Sequence, residues 1–360
     1  MATVTEPARS GAGRTMSAMV LERYGSPVVR RALPVPEPGP GEVVVRIEAA
    51  ALCGSDLHLQ AGAFERPGGR FAGLVPPIVM GHQIAGELAA VGAEVDGLEP
   101  GTRCVVYANL FCGRCLACLA GRQNLCRTVA KRVGLEVPGG FAEYVAVPAV
   151  NAFAAPDLDP AELSVLPDAV ATAYHAVVRR AAVEPGEVVV VLGIGAIGLY
   201  VTRIAALRGA HVVAADRAAD ERAERAREFG ASAVLSGDAG PQLVPEILDA
   251  AGRPADAVID VVGSGETLAA AVSLLRGGGR LVVIGLTGDR ALPLDAASAR
   301  ELRIMGSLSS TPRDLVEVLA LAERGAVEPL VAERFPLDQA NEALGVLAGG
   351  DAVGRLVLVP

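Results

Sequence analysis

This chain lacks tryptophan, has almost no lysine, and carries fewer basic than acidic residues. Among its 360 residues the only lysine is Lys131, tryptophan is absent, aromatic residues make up 3%, and the net charge is −9. Proteins that bind nucleic acids usually carry a basic excess or a basic stripe, so the acidic balance argues against that class. With so few aromatic residues, the core has to be built from alanine, valine, leucine and isoleucine. Apolar residues are 51% of the chain, which is enough for a globular core and excludes a disordered protein.

The chain also lacks a long uninterrupted apolar run and an export signal. Its longest apolar stretch, residues 188–201, contains three glycines and is too short to span a bilayer. Residues 1–16 are small, polar and weakly basic, without the apolar segment of a signal peptide, and they predict a loose tail. We therefore expect a cytoplasmic protein without a membrane partner.

Six cysteines are present, and four of them form the pattern C-x2-C-x2-C-x7-C. In a chain without an export signal, clustered cysteines indicate metal binding rather than disulfide bonds. The cluster consists of Cys112, Cys115, Cys118 and Cys126. Four thiolates on one short loop suit a closed, structural zinc site, although an iron–sulfur cluster uses the same ligands. Cys104 lies outside this pattern and is predicted to be a small core residue.

The pattern of apolar residues changes near residue 160. Before it, short β-rich segments are broken by glycine and proline. After it, buried strands alternate with amphipathic helices, which predicts a doubly wound parallel sheet with helices on both faces. From about residue 310 the chain holds one or two helices and a final strand, Arg355–Val359. Since a domain averages roughly 150 residues, the length suggests two or three domains, and the predicted fold class is α/β.

A glycine motif follows directly on the apolar run Val188–Leu192. Its six residues are Gly193, Ile194, Gly195, Ala196, Ile197 and Gly198. The context of strand, tight turn and helix is the one that a dinucleotide-binding GxGxxG loop requires. Asp216 ends the next strand, where a carboxylate can accept hydrogen bonds from the adenosine ribose and repel a 2′-phosphate. NAD is therefore favoured over NADP, although Arg217 and Arg222 are nearby cations that weaken this preference.

Two further short motifs are Cys53-Gly-Ser-Asp and Gly81-His82. With these motifs, the cysteine cluster, the glycine loop and the closing strand, the sequence resembles the zinc-containing alcohol dehydrogenases of the medium-chain dehydrogenase/reductase superfamily. The resemblance covers residues 17–360, and the motifs occur in the same order as in that family. The resemblance implies a GroES-like catalytic domain at 17–165 and 309–360, with a structural zinc lobe at 112–126. It implies a Rossmann domain at 166–308.

The resemblance also implies a second zinc, the catalytic one, so that each chain would hold two zinc ions and NAD. Its ligands would be Cys53, His82 and Asp168. The competing interpretation of Asp168 is a helix N-cap before residues 169–178. Gln83 departs from the family pattern, which usually has glutamate after this histidine, and the sequence does not say how this change affects the zinc.

By the same resemblance, Ser55 hydrogen-bonds the alcohol oxygen and starts a proton relay through the cofactor ribose, which His58 would complete near solvent. Asp56 would orient His82, or instead cap a turn, and Arg355 would contact the cofactor phosphates, or instead be a surface cation. Rough alignment suggests Leu59, Phe64, Ala108, Asn109 and Thr287 as walls of the substrate pocket. His175 is expected to pack within a helix, and His211 to lie at the surface.

The implied activity is oxidation of a small-molecule alcohol to a ketone or aldehyde by hydride transfer to NAD. The substrate is expected to be a secondary, cyclic or polyol alcohol. The protein is expected to be a homotetramer or a homodimer. One alternative is a zinc-free quinone or enoyl reductase of the same superfamily. Another is an NAD-binding sensor or scaffold without turnover, and a zinc-ribbon nucleic-acid binder conflicts with the acidic charge. The sequence does not identify the substrate or the physiological direction.

Overall fold

The structure is a computed structural model that describes residues 10–63, 76–217, 220–285 and 291–360. Its contacts divide the chain into two units, residues 1–168 with 315–360, and residues 169–314. The domain limits expected from the sequence, 165/166 and 308/309, lie a few residues before these divisions. Residues 1–9 of the expected tail, Phe64 and Thr287 fall outside the described residues.

Strands and helices alternate differently in the two units. The strands are β1 Ser10–Leu21, β2 Val29–Pro36, β3 Glu42–Ala51, β4 Ile78–Val79, β5 Gln83–Val91, β6 Arg103–Val106, β7 Tyr144–Pro148, β8 Ala152–Ala154, β9 Val188–Leu192, β10 His211–Asp216, β11 Ala231–Ser236, β12 Ala255–Asp260, β13 Leu275–Val283, β14 Arg303–Gly306, β15 Val331–Pro336 and β16 Arg355–Val359. The helices are α1 Gly54–Gln60, α2 Leu116–Leu119, α3 Pro160–Val165, α4 Ala171–Tyr174, α5 Ala196–Leu207, α6 Asp220–Glu228, α7 Val244–Ala251, α8 Gly265–Leu274, α9 Leu294–Ala299, α10 Pro312–Glu323 and α11 Ala340–Gly349. No helix among the described residues is long and apolar enough to cross a membrane.

The first unit is β-rich. Within its described residues one sheet has the strand order β15-β16-β3-β5-β6-β8, with β7 also paired to β3, and a second sheet has the order β2-β1-β4. Strand β3 is the centre of the larger sheet and is buried along most of its length. Its neighbour β5 approaches closely at Gly86, where a Cβ would lie 2.0 Å from the carbonyl oxygen of Arg46. The core between these elements is mostly aliphatic, as the composition predicts.

Strand β1 corrects part of the expected N-terminal tail. The strand begins at Ser10, and residues Thr15 to Val20 pair antiparallel with β2. The prediction of a loose tail up to residue 16 is therefore wrong from residue 10 onward. Small polar side chains gave no strand signal there, but the backbone hydrogen bonds of a ladder do not depend on side-chain character.

The second unit contains a parallel sheet. Within residues 169–314 that the structure describes, the strand order is β11-β10-β9-β12-β13-β14, and each neighbouring pair is parallel. This order reverses between β9 and β12, and open parallel sheets bind their ligands beyond the carboxyl ends of the strands at such a reversal. All five residues of β9 are buried, because helices cover both faces of the sheet. The predicted fold class is confirmed.

A buried polar cluster connects the two ends of the second unit. His175 Nδ1 lies 2.8 Å from Asp314 Oδ2, and Arg179 Nε donates to Asp314 Oδ1 at 2.8 Å. Burial opposes ionisation of Asp314, but the hydrogen bonds from His175, Thr311 and Arg179 outweigh it and lower the pKa of this carboxyl to about 2. His175 is thus a packed helical residue with a structural partner, as expected, and His211 is exposed at the start of β10.

Candidate metal and dinucleotide sites

Three separate parts of the first unit bring Cys53, His82 and Asp168 together. Cys53 is the N-cap of α1, and its sulfur accepts a hydrogen bond from the backbone N–H of Ser55 at 3.3 Å. His82 directly precedes β5. Gly81 before it has φ +92°, and a Cβ there would lie 2.4 Å from the ring of Phe141, so glycine is required. Asp168 lies in a π-helical turn, Leu166–Val170, that follows α3.

The ligand atoms of these three residues have the spacing of a single metal site. Cys53 Sγ is 3.2 Å from His82 Nε2, Asp168 Oδ2 is 4.0 Å from the same nitrogen, and all three donor atoms lie within 4.8 Å of one another. Ligand bonds of about 2.0–2.3 Å to a tetrahedral zinc imply donor separations of roughly 3.5 Å. The set of thiolate, imidazole and carboxylate therefore fits zinc, with three protein ligands.

The N-cap interpretation of Asp168 is wrong. The cap before this helical segment is Asp159, whose side chain accepts from Ala161 N, and Asp168 lies inside the segment. A π-helical turn contains one more residue than a regular helical turn, so the side chains in it point in different directions from those of a regular helix. Such turns occur often at functional sites.

Asp56 lies beside two of the three predicted zinc ligands, Cys53 and His82. Its Oδ2 accepts the backbone N–H of Cys53 at 2.8 Å, and its Oδ1 lies 3.4 Å from His82 Nδ1. Burial opposes a positive charge on His82, but Cys53 and Asp56 outweigh it and raise the pKa of His82 well above its usual value. Both predicted roles of Asp56 are compatible with this geometry, since one oxygen caps the turn and the other faces the imidazole. The excess of negative charge around His82 favours a cation at this position.

Arg355 is buried in the first unit and pairs with one of the predicted zinc ligands. It is buried, with 5% of its surface exposed, so the interpretation as a surface cation is wrong. One of its terminal nitrogens donates to Asp168 Oδ2 at 3.2 Å. The sequence could not reveal this pair, because the partners are 187 positions apart and neither lies in a motif that names the other. The guanidinium fixes one oxygen of the Asp168 carboxylate.

Gln83 is fully buried at the first position of β5. Neither its amide oxygen nor its amide nitrogen has a hydrogen-bond partner among the described residues. Burying an amide side chain without a hydrogen-bond partner lowers stability by about 1–3 kcal/mol in mutational data. Its neutral side chain also leaves the His82 region with one negative charge fewer than glutamate would supply.

The four clustered cysteines form a second candidate metal site. Adjacent pairs of sulfur atoms are separated by 4.0 Å (Cys112–Cys118), 3.5 Å (Cys115–Cys118), 4.0 Å (Cys115–Cys126) and 3.7 Å (Cys126–Cys112). A tetrahedron with zinc–sulfur bonds of about 2.3 Å has edges of about 3.8 Å. A cluster of several irons would place iron and sulfide between the thiolates and spread them farther apart, so the geometry favours one tetrahedral ion.

The lobe that carries these cysteines has little apolar packing of its own. Its helix α2 has only four residues, and Leu116 and Leu119 are 88% and 72% exposed. Hydrogen bonds to the Cys112 sulfur, chiefly from the backbone N–H of Arg114, lower the pKa of this thiol to about 6. The lower pKa favours the thiolate, which is the form that binds metal. Cys104 lies outside the cluster and is buried, and burial raises the pKa of its thiol to about 12.

The glycine motif forms a tight turn between β9 and α5. Gly193 has φ +89°, and a Cβ there would lie 2.7 Å from Val262 Cγ2. A Cβ on Gly198 would lie 1.9 Å from the carbonyl oxygen of Gly193, so strand and helix could not pack as they do. Gly195, the N-cap of α5, has no atom within 4 Å of its would-be Cβ. The missing side chain leaves backbone N–H groups accessible at a helix N-terminus, which suits a pyrophosphate.

A cavity of about 510 Å³ lies beside this turn and includes Asp216 in its wall. The Oδ2 of Asp216 accepts the backbone N–H of Ile194 at 2.6 Å, and its Oδ1 lies 3.9 Å from Arg222. Arg217 also lines the cavity but is largely exposed, with Asp238 at 4.0 Å. The carboxylate thus ends β10 at the position predicted for ribose binding, and Arg222 offsets part of its charge.

Comparisons with known proteins match this chain to one family. Residues 39–157 match the family model of the alcohol dehydrogenase GroES-like domain, and residues 196–324 match that of the zinc-binding dehydrogenases. An NAD-dependent alcohol dehydrogenase from Sulfurisphaera tokodaii is 34% identical over 352 residues, covering 96% of this chain and 100% of the relative. The chain belongs to the zinc-type alcohol dehydrogenases of the medium-chain dehydrogenase/reductase superfamily.

Other relatives of the dehydrogenase differ in their named substrates. An L-threonine 3-dehydrogenase from Symbiobacterium thermophilum is 30% identical over 353 residues, covering 96% of this chain and 98% of the relative. The cobalt- and zinc-bound thermostable alcohol dehydrogenase from Pyrobaculum aerophilum superposes with a TM-score of 0.86 at 29% identity, covering 96% and 100% of the two chains. The predicted family is confirmed, and the dehydrogenase is an oxidoreductase acting on alcohols.

Replacing Cys126 of the dehydrogenase by serine is expected to remove one zinc per chain and to expose the lobe to proteolysis. A structural zinc contributes about 10–16 kcal/mol to the folding of small zinc domains, and the lobe has few apolar contacts to replace it. Zinc analysis and limited trypsin digestion measure the effect. Cys104→Ala is the matched control, since it removes a buried cysteine outside the cluster. Equal zinc content in the two variants would contradict the assignment.

Proposed function

We propose that the dehydrogenase oxidises a secondary, cyclic or polyol alcohol reversibly, with transfer of hydride to NAD. The observation that carries this proposal is the convergence of Cys53, His82 and Asp168 in one buried cluster. A closed structural zinc site needs four protein ligands, whereas a catalytic zinc has three and keeps one position for substrate. The four-cysteine lobe meets the first description and this cluster meets the second, which gives two zinc ions per chain.

Each residue of the cluster has a separate task in this proposal. Cys53, His82 and Asp168 would hold a zinc ion, which would supply a Lewis acid that favours loss of the alcohol proton. Asp56 Oδ1 lies 3.4 Å from His82 Nδ1 and would orient the ring so that Nε2 faces the metal. Arg355 holds Asp168 Oδ2. Its predicted contact with the cofactor phosphates remains a proposal.

Helix α1 supplies a route for the alcohol proton. Ser55 lies in its first turn and is half-buried, and His58, three residues later, is exposed. Residues three apart lie on the same face of a helix. A hydroxyl can pass a proton, and an imidazole exchanges protons with solvent near neutral pH. We infer that the Ser55 hydroxyl accepts the alcohol proton while it gives up its own proton toward His58, and that His58 releases a proton to water.

The proposed substrate class follows from the relatives rather than from a described pocket. The L-threonine 3-dehydrogenase acts, by its name, at carbon 3 of threonine, which is a secondary alcohol. Leu59, one of the predicted pocket residues, is buried in the core of the first unit, so it is better described as a core residue. We also propose a cytoplasmic location, because clustered cysteines that bind a metal are typical of a reducing compartment.

The two alternative functions, a zinc-free reductase and an NAD-binding sensor or scaffold, differ from this proposal in what they require of the metal site. A zinc-free reductase has no use for the Cys53–His82–Asp168 donor set. A sensor or scaffold without turnover is supported only by Gln83, whose neutral amide replaces the usual glutamate. Chelation separates them: removing the metal from the three-ligand site should abolish turnover in the proposed zinc enzyme and leave the turnover of a zinc-free reductase unchanged. NAD binding should stay intact in every case, and a sensor or scaffold would show no turnover before or after chelation.

The function is tested by following NAD reduction with primary, secondary, cyclic and polyol alcohols, and by repeating the panel with NADP. Turnover restricted to one class would support the proposal and define the substrate group. Turnover that persists after the three-ligand site has lost its zinc would contradict it. Silence across the panel in protein that contains two zincs per chain would contradict the proposed substrate classes.

Asp216→Ala is expected to raise the ratio of kcat/KM for NADP over NAD by about 10–100-fold, since it removes a carboxylate that repels a 2′-phosphate and leaves Arg217 and Arg222. Steady-state kinetics with both cofactors measure the ratio. Asp238→Ala is the control, because it removes another carboxylate from the wall of the same cavity and should change the ratio much less. A ratio that is equal in both variants would sink the assignment of Asp216.

A further inference from the structure

Asp260 is a buried carboxylate with no role in the function described so far. It is the last residue of β12, has no exposed surface, and pairs with Leu192 at the end of β9. Leu192 directly precedes the glycine turn. Because the carboxyl ends of neighbouring parallel strands meet at one edge of the sheet, Asp260 lies next to the proposed dinucleotide site.

The carboxylate closes the loop 261–264 through three hydrogen bonds. Its Oδ1 accepts the backbone N–H groups of Val262 at 2.9 Å and Gly263 at 2.8 Å. Its Oδ2 accepts the hydroxyl of Thr267 at 2.7 Å. Thr267 in turn accepts the backbone N–H of Ser264 at 3.0 Å in the capping box that begins α8. One buried side chain therefore fixes both the loop and the start of the helix.

The loop forms one wall of the dinucleotide cavity. Val261, Val262, Ser264 and Thr267 line it together with Gly193 and Gly195. The contact between the two walls is close, since a Cβ on Gly193 would lie 2.7 Å from Val262 Cγ2. A change in the loop conformation would therefore change the space between Val262 and the glycine turn.

Asp260 differs from the other buried carboxylate on the same strand. Asp256 lies at the opposite end of β12 and forms ion pairs with Arg253 and Arg276 at 2.7 and 2.6 Å. No such ion pair is found for Asp260 in the part of the chain that the structure describes, and burial raises the pKa of its carboxyl although its three donors act to lower it. Burying a carboxylate that has only neutral hydrogen-bond donors costs free energy of folding. A residue present only for stability would not be expected to carry this cost.

We propose that Asp260 is a positioning residue for the dinucleotide, which sets the wall of the cavity opposite the glycine turn by fixing loop 261–264. This inference rests on the proposed binding of NAD in this cavity. Asp260 does not contact the cofactor in this account and acts through the backbone of Val262 and Gly263 and the hydroxyl of Thr267.

The test compares Asp260→Asn with Asp256→Asn in the intact, zinc-loaded dehydrogenase. An asparagine in place of Asp260 keeps one oxygen for the backbone donors but cannot accept the Thr267 hydroxyl on its nitrogen. Asp260→Asn is expected to raise the Kd and the KM for NAD about tenfold, or about 1.4 kcal/mol, with kcat at saturating NAD nearly unchanged. Asp256→Asn is expected to lower thermal stability with NAD affinity unchanged. Thr267→Val should shift NAD affinity in the same direction as Asp260→Asn, and it keeps the test valid if Asp260→Asn does not fold.

Three negative results are distinguishable. If the unmodified dehydrogenase binds NAD, and if Asp260→Asn and Thr267→Val bind it with unchanged Kd, Asp260 is only structural and this inference is overturned. If the unmodified dehydrogenase itself does not bind NAD, the proposed function fails first. Equal losses of NAD affinity in Asp260→Asn and Asp256→Asn would also overturn the inference, because the effect would then report general destabilisation of β12.

Discussion

Asp168→Asn is expected to remove most of the zinc at the Cys53–His82 site and to lower kcat/KM about a thousandfold, since loss of the Lewis acid costs several kcal/mol of transition-state stabilisation. Asparagine keeps an oxygen that can accept from Arg355, so the buried guanidinium retains a partner. Asp168→Ala should show the same losses and a lower melting temperature as well, because removing one partner of a buried ion pair costs about 3–5 kcal/mol. Zinc content, steady-state rates and thermal unfolding separate the two effects.

A matched rescue makes the Asp168 prediction specific. Asp168→Cys supplies a thiolate, which is a competent zinc ligand, and should restore a large part of the zinc and the rate. Asp157→Ala is the control, since this carboxylate is at the surface beside Arg103 and should change neither quantity. Zinc content and rate that are unchanged in Asp168→Asn would remove Asp168 from the site and leave it as a partner of Arg355 only.

Gly195→Ala and Gly198→Ala are expected to impair NAD binding in two different ways. A Cβ added at Gly195 would enter space that contains no protein atom within 4 Å, so the fold should persist while the pyrophosphate loses its close approach to the backbone. A Cβ added at Gly198 would lie 1.9 Å from the carbonyl oxygen of Gly193, so β9 and α5 would have to separate. We expect the Kd for NAD to rise at least about tenfold in Gly195→Ala, a difference of about 1.4 kcal/mol, without a change in melting temperature.

Gly198→Ala should lower the melting temperature and the NAD affinity together. Calorimetric unfolding and isothermal titration with NAD distinguish the two variants. Gly306→Ala provides a matched control, because a Cβ there also meets no atom within 4 Å and Gly306 lies at the end of β14, outside the glycine motif. Unchanged NAD affinity in Gly195→Ala would show that the dinucleotide does not approach the backbone at this turn.

Much of the fold could be predicted from local sequence patterns. The apolar run of β9 and the final strand β16 coincide with the predicted limits, since short β-branched segments bounded by glycine carry a strong signal. The start of strand β1 was not predicted, because its first residues are small and polar and depend on pairing with β2. The four-cysteine cluster was predicted from its spacing, whereas Cys53, His82 and Asp168 were predicted only from the resemblance to the zinc-containing alcohol dehydrogenases.

The remaining contacts of the sites depend on the tertiary structure. Nothing in the sequence around Arg355 identifies Asp168 as its partner, and Asp260 has the local appearance of any acidic residue at the end of a strand. The π-helical turn at Leu166–Val170 was not predictable either, because its residues also suit a regular helix. These features arise from packing between segments that are distant in sequence, and they determine how the predicted ligands are oriented.

The most direct test of this account counts zinc and measures NAD reduction in the same samples of the dehydrogenase. A chelator is applied until one of two zincs per chain has been removed, and zinc is then added back. The account predicts that the four-cysteine zinc remains, that alcohol-dependent NAD reduction is lost with the zinc of Cys53, His82 and Asp168, and that both return together. A full rate of NAD reduction in protein that retains only the four-cysteine zinc would contradict it.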